Sequence, residues 1–122
     1  MGEELTGRGN AADRAEELRA AVVALVALGR LPTDAQADAE PERADRWESL
    51  VGSLQADGPV TDAEATALAA LFPEDDSDGY GVAWTLLHVV ESAPGWPSAA
   101  ALAALDGPWA DVLRRRVAGP DR

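Results

Sequence analysis

Proline and glycine interrupt this chain at short intervals, and they limit the length of every regular element that it can form. The breaks fall at Gly29 to Pro32, at "DGP" 57–59, at Pro73, at "APGWPS" 93–98 and at a second "DGP", 106–108. Between them, apolar residues recur every three or four positions, which is typical of helices packed on one face. Because no run of alternating β-branched residues competes with this pattern, the sequence predicts an all-α fold.

The helices are expected to form one domain over residues 11–119, after a flexible amino terminus at residues 1–10. Two capping boxes, Thr33 with Gln36 and Thr61 with Glu64, mark helix starts. We predict about five to six helices in antiparallel pairs, arranged as an irregular HEAT-like stack or as a bundle. The expected segments are Ala11 to Leu28, Glu42 to Gln55, Asp62 to Phe72, Tyr80 to Ser92, and two more that begin at Ser98 and Pro108.

The apolar faces of these segments predict the core. The segment from Tyr80 to Ser92 is apolar on nearly every side, so we expect it to be the central helix. Trp96, which lies between Gly95 and Pro97, is a candidate for an exposed interface anchor. The residues assigned to the core by their helical spacing include Val23, Val26, Trp47, Trp84, Trp109 and Val117.

Composition excludes several kinds of site and segment. The chain has no cysteine, so disulfides, thiolate metal ligands and a cysteine nucleophile are all excluded. The amino terminus is polar and acidic, unlike a signal peptide, and no segment reaches the roughly 18 apolar residues of a membrane span. We therefore expect a soluble, cytoplasmic protein.

Charge is distributed unevenly along the chain. The formal net charge is −12, all ten basic residues are arginine, and none lies between Arg46 and Arg114. A long acidic stretch of this kind repels nucleic acid and anionic lipid, and it attracts cationic partners. The alternative is that the acidity only maintains solubility. Eleven acids lie in the stretch: Glu48, Asp57, Asp62, Glu64, Glu74, Asp75, Asp76, Asp78, Glu91, Asp106 and Asp111.

The segment "EDDSDGYG" resembles part of a calcium-binding loop. With Gly79 at loop position 6, Glu74, Asp76 and Asp78 fall at positions 1, 3 and 5 of an EF-hand. Position 12 is then Thr85, where the motif requires a bidentate glutamate, so we predict no metal site. Acids that precede a helix also stabilise its positive end. Four acids exceed the needs of a cap, and this favours a role in binding a partner.

Catalytic chemistry finds little support in the sequence. His88 is the only histidine, and Glu91 could orient it as a base from the same helical face. No nucleophile elbow or glycine-rich phosphate loop accompanies them, so we predict no enzyme activity, no catalytic residue and no cofactor. The arginines at 114–116 suit the carboxyl end of a helix better than a nucleic-acid site.

Two segments of the carboxy-terminal third carry a resemblance to a known family. "LLHVVE", 86–91, and "WADVLRRRV", 109–117, resemble segments of a small, acidic, all-helical family of immunity proteins from bacterial polymorphic toxin systems. Here Ala118 and Gly119 follow the second segment, where that family often continues with Leu-Asn. The resemblance implies a cytoplasmic antidote that binds a cognate toxin and blocks its active site. It assigns His88, Glu91, Trp109 and Arg116 to a structural core, in which Glu91 and Arg116 form a buried pair.

Together these observations predict a protein that binds a basic protein toxin, with a nuclease as one candidate, and that binds neither nucleic acid nor membrane. One alternative is a helical adaptor that receives a peptide, and another is an acidic mimic of nucleic acid. The expected contact surface comprises Glu74, Asp75, Asp76, Asp78, Tyr80 and Trp96.

Overall fold

A computed structural model of the protein describes residues 18–118. Within this range the chain forms helices and no strand, which confirms the all-α prediction. The predicted flexible segment 1–10 and the first residues of the predicted first helix lie outside the described range. The helices are α1 (Ala20–Leu28), α2 (Asp34–Ala39), α3 (Pro41–Asp57), α4 (Asp62–Ala69), α5 (Val82–Glu91), α6 (Ala99–Ala104) and α7 (Gly107–Ala118).

The helices pack around one cluster of buried apolar side chains. Helix α1 contacts α3 and α4, α2 contacts α3, and α6 contacts α4. Helix α5 contacts both α3 and α4, and five of its ten residues are buried, as expected for a central helix. No helix in the described part of the chain has both the length and the apolarity needed to cross a bilayer.

The predicted helix starts are present. In α2, Thr33 Oγ1 accepts a hydrogen bond from Gln36 N at 3.1 Å while Gln36 Oε1 accepts one from Thr33 N at 3.0 Å. Thr61 and Glu64 form the same reciprocal pair before α4, at 3.1 and 2.9 Å. Each box satisfies two backbone N–H groups that a helix start would otherwise leave without partners.

Several helix boundaries differ from the prediction. Helix α1 begins at Ala20, because the backbone of Arg19 is extended, with φ −66° and ψ 162°, so Leu18 and Arg19 of the predicted helix precede it. Helix α5 begins at Val82 rather than Tyr80, because Tyr80 and Gly81 have φ angles of 56° and 95°, which an α-helix does not allow. Helix α4 ends at Ala69 instead of reaching Phe72. The residues that follow turn away, and Leu71 O accepts a hydrogen bond from Leu31 N at 2.8 Å. This bond ties the end of α4 to the segment that leads into α2.

Several residues assigned to the core are exposed instead. On α1, Val23 is 52% exposed and Val26 is 45% exposed, and Val117 on α7 is 39% exposed. The apolar stripe of α1 is wider than the face that its neighbours cover, and only Val22 and Leu25 of that helix are buried. Helical spacing identifies the apolar face of a helix. How far the neighbouring helices extend over that face determines which of its residues are buried.

Candidate partner-binding face

The acidic loop, residues 74–78, connects the end of α4 to the turn that precedes α5. Glu74, Asp75 and Asp76 are exposed, and Asp78 is half-buried. Asp75 Oδ1 accepts a hydrogen bond from Ser77 N at 2.9 Å, which shapes the turn locally. Three of the four carboxylates in the loop therefore face solvent.

Helix α2 adds two carboxylates to the same surface. Asp34 Oδ1 accepts a hydrogen bond from Gly79 N at 3.1 Å, and Asp38 Oδ1 accepts one from the Tyr80 hydroxyl at 2.8 Å. Gln36 Nε2 lies 3.5 Å from Glu74 Oε2. Acids from two distant parts of the sequence thus converge. We define the acidic face as Asp34, Asp38, Glu74, Asp75, Asp76 and Asp78.

Asp34 and Asp38 of α2 were not predicted as contact residues, although a local signal places them on one side of their helix. The capping box at Thr33 fixes the start of α2, so Asp34 and Asp38 fall one turn apart on one side of that helix. Nothing in the local sequence indicates that Asp34 meets a loop residue 45 positions further along. That placement follows from the contact between Leu31 and Leu71.

Tyr80 lies at the edge of the acidic face. Its side chain is 66% exposed, and its hydroxyl donates to Asp38. This hydrogen bond raises the pKa of Tyr80, with smaller contributions from desolvation and from the charges of Asp38 and Asp34. Tyr80 therefore stays protonated and presents an aromatic ring beside the carboxylates.

Arg30 forms its ion pair with Asp106 and not with a carboxylate of the acidic face. Arg30 Nη2 lies 2.6 Å from Asp106 Oδ2, and its Nη1 donates to Phe72 O at 3.1 Å. The hydrogen bond with Asp106 raises the pKa of Arg30 and lowers that of Asp106. Between residues 18 and 118, no arginine forms an ion pair with any carboxylate of the acidic face. The charge of Glu74 makes a smaller contribution to the raised pKa of Arg30, and the other carboxylates of that face are left to act on solvent or on a partner.

Trp109 links α7 to the acidic loop through a side-chain hydrogen bond. Its side chain is 3% exposed and stacks on Phe72, with 5.6 Å between ring centroids. The indole Nε1 donates a hydrogen bond to Ser77 O at 2.9 Å. The structural role implied for Trp109 by the resemblance is consistent with this geometry, and the loop backbone is its hydrogen-bond partner.

Trp84 is not a core residue, contrary to the sequence-based assignment. It meets Trp109 edge to face at 5.0 Å, yet 44% of its surface remains exposed. One face of the indole borders a pocket of about 460 Å³ that opens beside the acidic loop. The lining of that pocket combines acids and apolar groups: Asp34, Asp76, Ser77, Asp78, Trp84, Pro108, Trp109 and Val112.

His88 is also exposed, and the assignment of this residue to a structural core is wrong. Its side chain is 59% exposed, on the polar side of α5. His88 Nδ1 lies 3.8 Å from Glu91 Oε1, too far for a hydrogen bond. The motif histidine therefore contributes little to packing.

Glu91 and Arg116 form the predicted pair. Arg116 Nε and Nη2 donate to the two carboxylate oxygens of Glu91 at 2.7 and 2.9 Å. Contrary to the expectation, the pair is not buried, because the Arg116 side chain is 42% exposed. The hydrogen bond to Glu91 raises the pKa of Arg116. The pair joins α5 to the last turn of α7.

Replacement of Arg116 by glutamine is expected to lower the free energy of unfolding by about 0.5–1 kcal/mol, since the pair is bidentate but accessible to solvent. Urea titration would measure the change, with Arg115→Gln as the matched control that removes a neighbouring charge. A loss as large in Arg115→Gln as in Arg116→Gln would show that the helix terminus, and not the pair, needs the cation.

Trp96 does not join the acidic face. Its ring is half-buried and packs against the core at the turn before α6. The preceding Gly95 N donates to Asp62 Oδ1 at 2.7 Å, which anchors this turn to the start of α4. The structure thus brings together five of the predicted contact residues, namely Glu74, Asp75, Asp76, Asp78 and Tyr80, and places Trp96 elsewhere.

Comparison with known proteins provides no relative for this arrangement. The chain matches no protein-family model, no curated protein and no solved structure. In the described range, no group of three or more histidine, aspartate or glutamate side chains is arranged to hold a metal ion. The role of the acidic face is therefore inferred from its own charges and contacts.

Proposed function

We propose that the protein is an immunity-type inhibitor, which binds and neutralises a cognate protein toxin of a bacterial polymorphic toxin system. The observation that supports this proposal most is the convergence on one face of six carboxylates, from α2 and the acidic loop, that form no ion pair within residues 18–118. The motif residues Trp109 and Arg116 support it indirectly, because they hold α7 against that loop and against α5.

The negative charge of the acidic face attracts a cationic partner and speeds its association with the protein. A surface of one sign raises the rate of encounter with a cationic partner by about 10- to 1,000-fold at low salt. A toxin that acts on nucleic acid needs a cationic cleft, and the carboxylates of the acidic face compete there with phosphates. We propose such a toxin as the partner. Inhibition then requires neither a cofactor nor a catalytic residue.

Tyr80 supplies contact area beside the charges. Exposed tyrosine gives a large rigid surface at low cost in side-chain entropy, and it is enriched at the centres of protein interfaces. The bond from its hydroxyl to Asp38 fixes the ring before a partner arrives. We assign attraction of the partner to the acids, and short-range contact to Tyr80.

A second candidate is an adaptor that receives a peptide, and the exposed Trp84 beside a pocket favours it. An adaptor would bind its peptide without protecting cells from a toxin. An acidic mimic of nucleic acid, the remaining alternative, would compete with DNA for many unrelated basic proteins. The inhibitor proposal expects a toxin gene beside the gene of this protein. Co-expression with the product of that gene separates these functions, because only an inhibitor restores growth.

Neutralising the loop should slow binding without unfolding the protein. In Glu74→Gln/Asp75→Asn/Asp76→Asn each amide keeps an acceptor oxygen, so the melting temperature is expected to stay nearly unchanged. The association rate with the toxin should fall about tenfold at low salt, and the difference should shrink as salt rises. Stopped-flow mixing at several salt concentrations measures both effects.

The matched control removes three exposed acids from α3, as Glu42→Gln/Asp45→Asn/Asp57→Asn, and carries the same net charge. Its association rate should remain close to that of the unmodified protein. Equal slowing in both triple variants would show that total charge, and not the acidic face, governs the encounter. A large drop in the melting temperature of the loop variant would show that the loop acids stabilise the fold.

A further inference from the structure

A continuous groove runs between α5 and α7. The pocket beside the acidic loop, of about 460 Å³, adjoins a second pocket of about 470 Å³, and both are lined by Trp84 and Val112. On α7 the lining residues Pro108, Val112 and Arg115 follow the helical spacing of one face. The groove therefore extends along α7 for two turns, roughly 10 Å.

The two ends of the groove carry opposite charges. Asp34, Asp76 and Asp78 line one end, and Arg115 and Arg116 line the other. Because Arg116 already pairs with Glu91, the cation that meets an incoming group is Arg115. No carboxylate within residues 18–118 forms an ion pair with Arg115.

The floor between these ends is apolar. It consists of the exposed part of Trp84 and the half-buried side chain of Val112, beside the buried ring of Trp109. A tryptophan that is 44% exposed inside a groove provides the area and rigidity of an interface hot spot. An apolar floor between two charged ends fits a segment that is itself apolar in the middle and charged at its ends.

We propose that this groove receives an amphipathic helical segment of the partner. That segment carries Lys or Arg at the end over Asp76 and Asp78, and Asp or Glu at the end over Arg115. The charge complementarity of the two ends identifies the occupant. The inference rests on the proposed function in one respect, since it takes the partner to be the toxin.

The backbone favours a helix over an extended peptide. The two long walls of the groove are α5 and α7, whose backbone N–H and C=O groups are bonded within each helix, and they offer no strand edge. At the acidic end, where loop residues 76–78 line the groove, Ser77 O already accepts a hydrogen bond from Trp109. An extended peptide would lose water from its own backbone groups and gain no partners for them. A helix satisfies those groups internally and can anchor apolar side chains at positions i, i+4 and i+7.

Two stapled helical peptides of about three turns test the proposal. Both carry the same leucine stripe and the same composition, but one has Lys at one end and Glu at the other, and the second has the charges mixed. Tryptophan fluorescence reports binding, and Trp84→Phe identifies the part of the signal that comes from the groove. The segregated peptide is expected to bind at least about tenfold more tightly than the mixed one.

A charge reversal at the basic end of the groove provides a second test of the proposal. Arg115→Glu should weaken the segregated peptide about tenfold and strengthen a peptide with Lys at both ends, whereas Arg46→Glu on α3 should change neither. Equal affinity for segregated and mixed peptides, or no effect of Arg115→Glu, would overturn the proposal. So would sedimentation showing a dimer that Arg115→Glu dissociates, because a second copy would then occupy the groove.

These outcomes are independent of the proposed function, since the peptide titrations contain no toxin. The toxin enters in a separate growth assay with co-expressed protein. If the Arg115→Glu and Trp84→Ala variants still protect cells from the toxin, the groove proposal is contradicted and the inhibitor proposal is left intact. Selective peptide binding by a protein that protects against no toxin would support the groove and contradict the inhibitor proposal.

Discussion

Replacement of Trp109 by alanine is expected to lower the free energy of unfolding by about 4 kcal/mol. The ring is 3% exposed and lies between Phe72 and Trp84, at centroid distances of 5.6 and 5.0 Å. Its removal leaves a cavity under α7 and deprives Ser77 O of its hydrogen bond. Urea unfolding followed by circular dichroism measures the change, with the slope checked for two-state behaviour.

Trp109→Phe separates packing from the hydrogen bond. Phenylalanine keeps an aromatic ring on Phe72 but cannot donate to Ser77 O, so we expect a smaller loss of about 1–2 kcal/mol. Hydrogen exchange in the acidic loop should rise in both variants, because both release its backbone. A loss below about 1 kcal/mol in Trp109→Ala would show that α7 is held by other contacts.

Replacement of Glu64 by alanine is expected to destabilise the protein by about 3 kcal/mol. Glu64 is 1% exposed, and its Oε1 accepts a hydrogen bond from Thr61 N at 2.9 Å. Its Oε2 accepts from Arg19 N at 2.7 Å and from Arg19 Nε at 2.9 Å. Alanine would leave these donors without their acceptor at the junction of α1 and α4.

The contribution of Glu64 to the free energy of unfolding should depend on pH. Burial by itself raises the pKa of Glu64, but the hydrogen bonds from Thr61 and Arg19 and the charge of Arg19 together outweigh burial, so the pKa lies below its ordinary value. The folded pKa is thus below the unfolded one. The stabilisation is present above the unfolded pKa, about 4.3, and is lost as pH falls through the folded pKa.

Glu64→Gln isolates this dependence, because the amide keeps the shape of the side chain and removes the charge. Urea titrations of the unmodified protein and of the Glu64→Gln variant, repeated from about pH 7 down to about pH 3, give the difference in unfolding free energy at each pH. We expect this difference to shrink below about pH 4.3. A constant difference over that range would show that the carboxylate titrates alike in the folded and unfolded states.

The local elements of the fold could be predicted from the sequence, because their signals are short-range. Thr33 with Gln36, and Thr61 with Glu64, specify helix starts within four residues. The second role of Glu64, as the acceptor for Arg19, joins positions 45 residues apart, and no local pattern encodes it. The early end of α4 has the same origin, since its cause is the distant contact between Leu71 and Leu31.

The candidate site could be predicted only in part for the same reason. The loop acids are adjacent in the sequence, whereas Asp34 and Asp38 reach the acidic face through tertiary packing. Apolar spacing placed Trp84 on a helix face correctly, but exposure depends on how closely α7 approaches, which spacing does not record. His88 shows the same limit, because a motif position does not determine burial.

The proposed function expects a toxin gene beside the gene of this protein. The most direct test of that function is a competition, on a solid surface, between a bacterium that carries both genes and a strain from which both are deleted. We predict that the deletion strain is outcompeted in contact with its parent and that the unmodified gene restores its growth. Glu42→Gln/Asp45→Asn/Asp57→Asn should restore it equally, and Glu74→Gln/Asp75→Asn/Asp76→Asn should restore it poorly. Equal growth of the deletion strain and its parent in contact would contradict the proposed function.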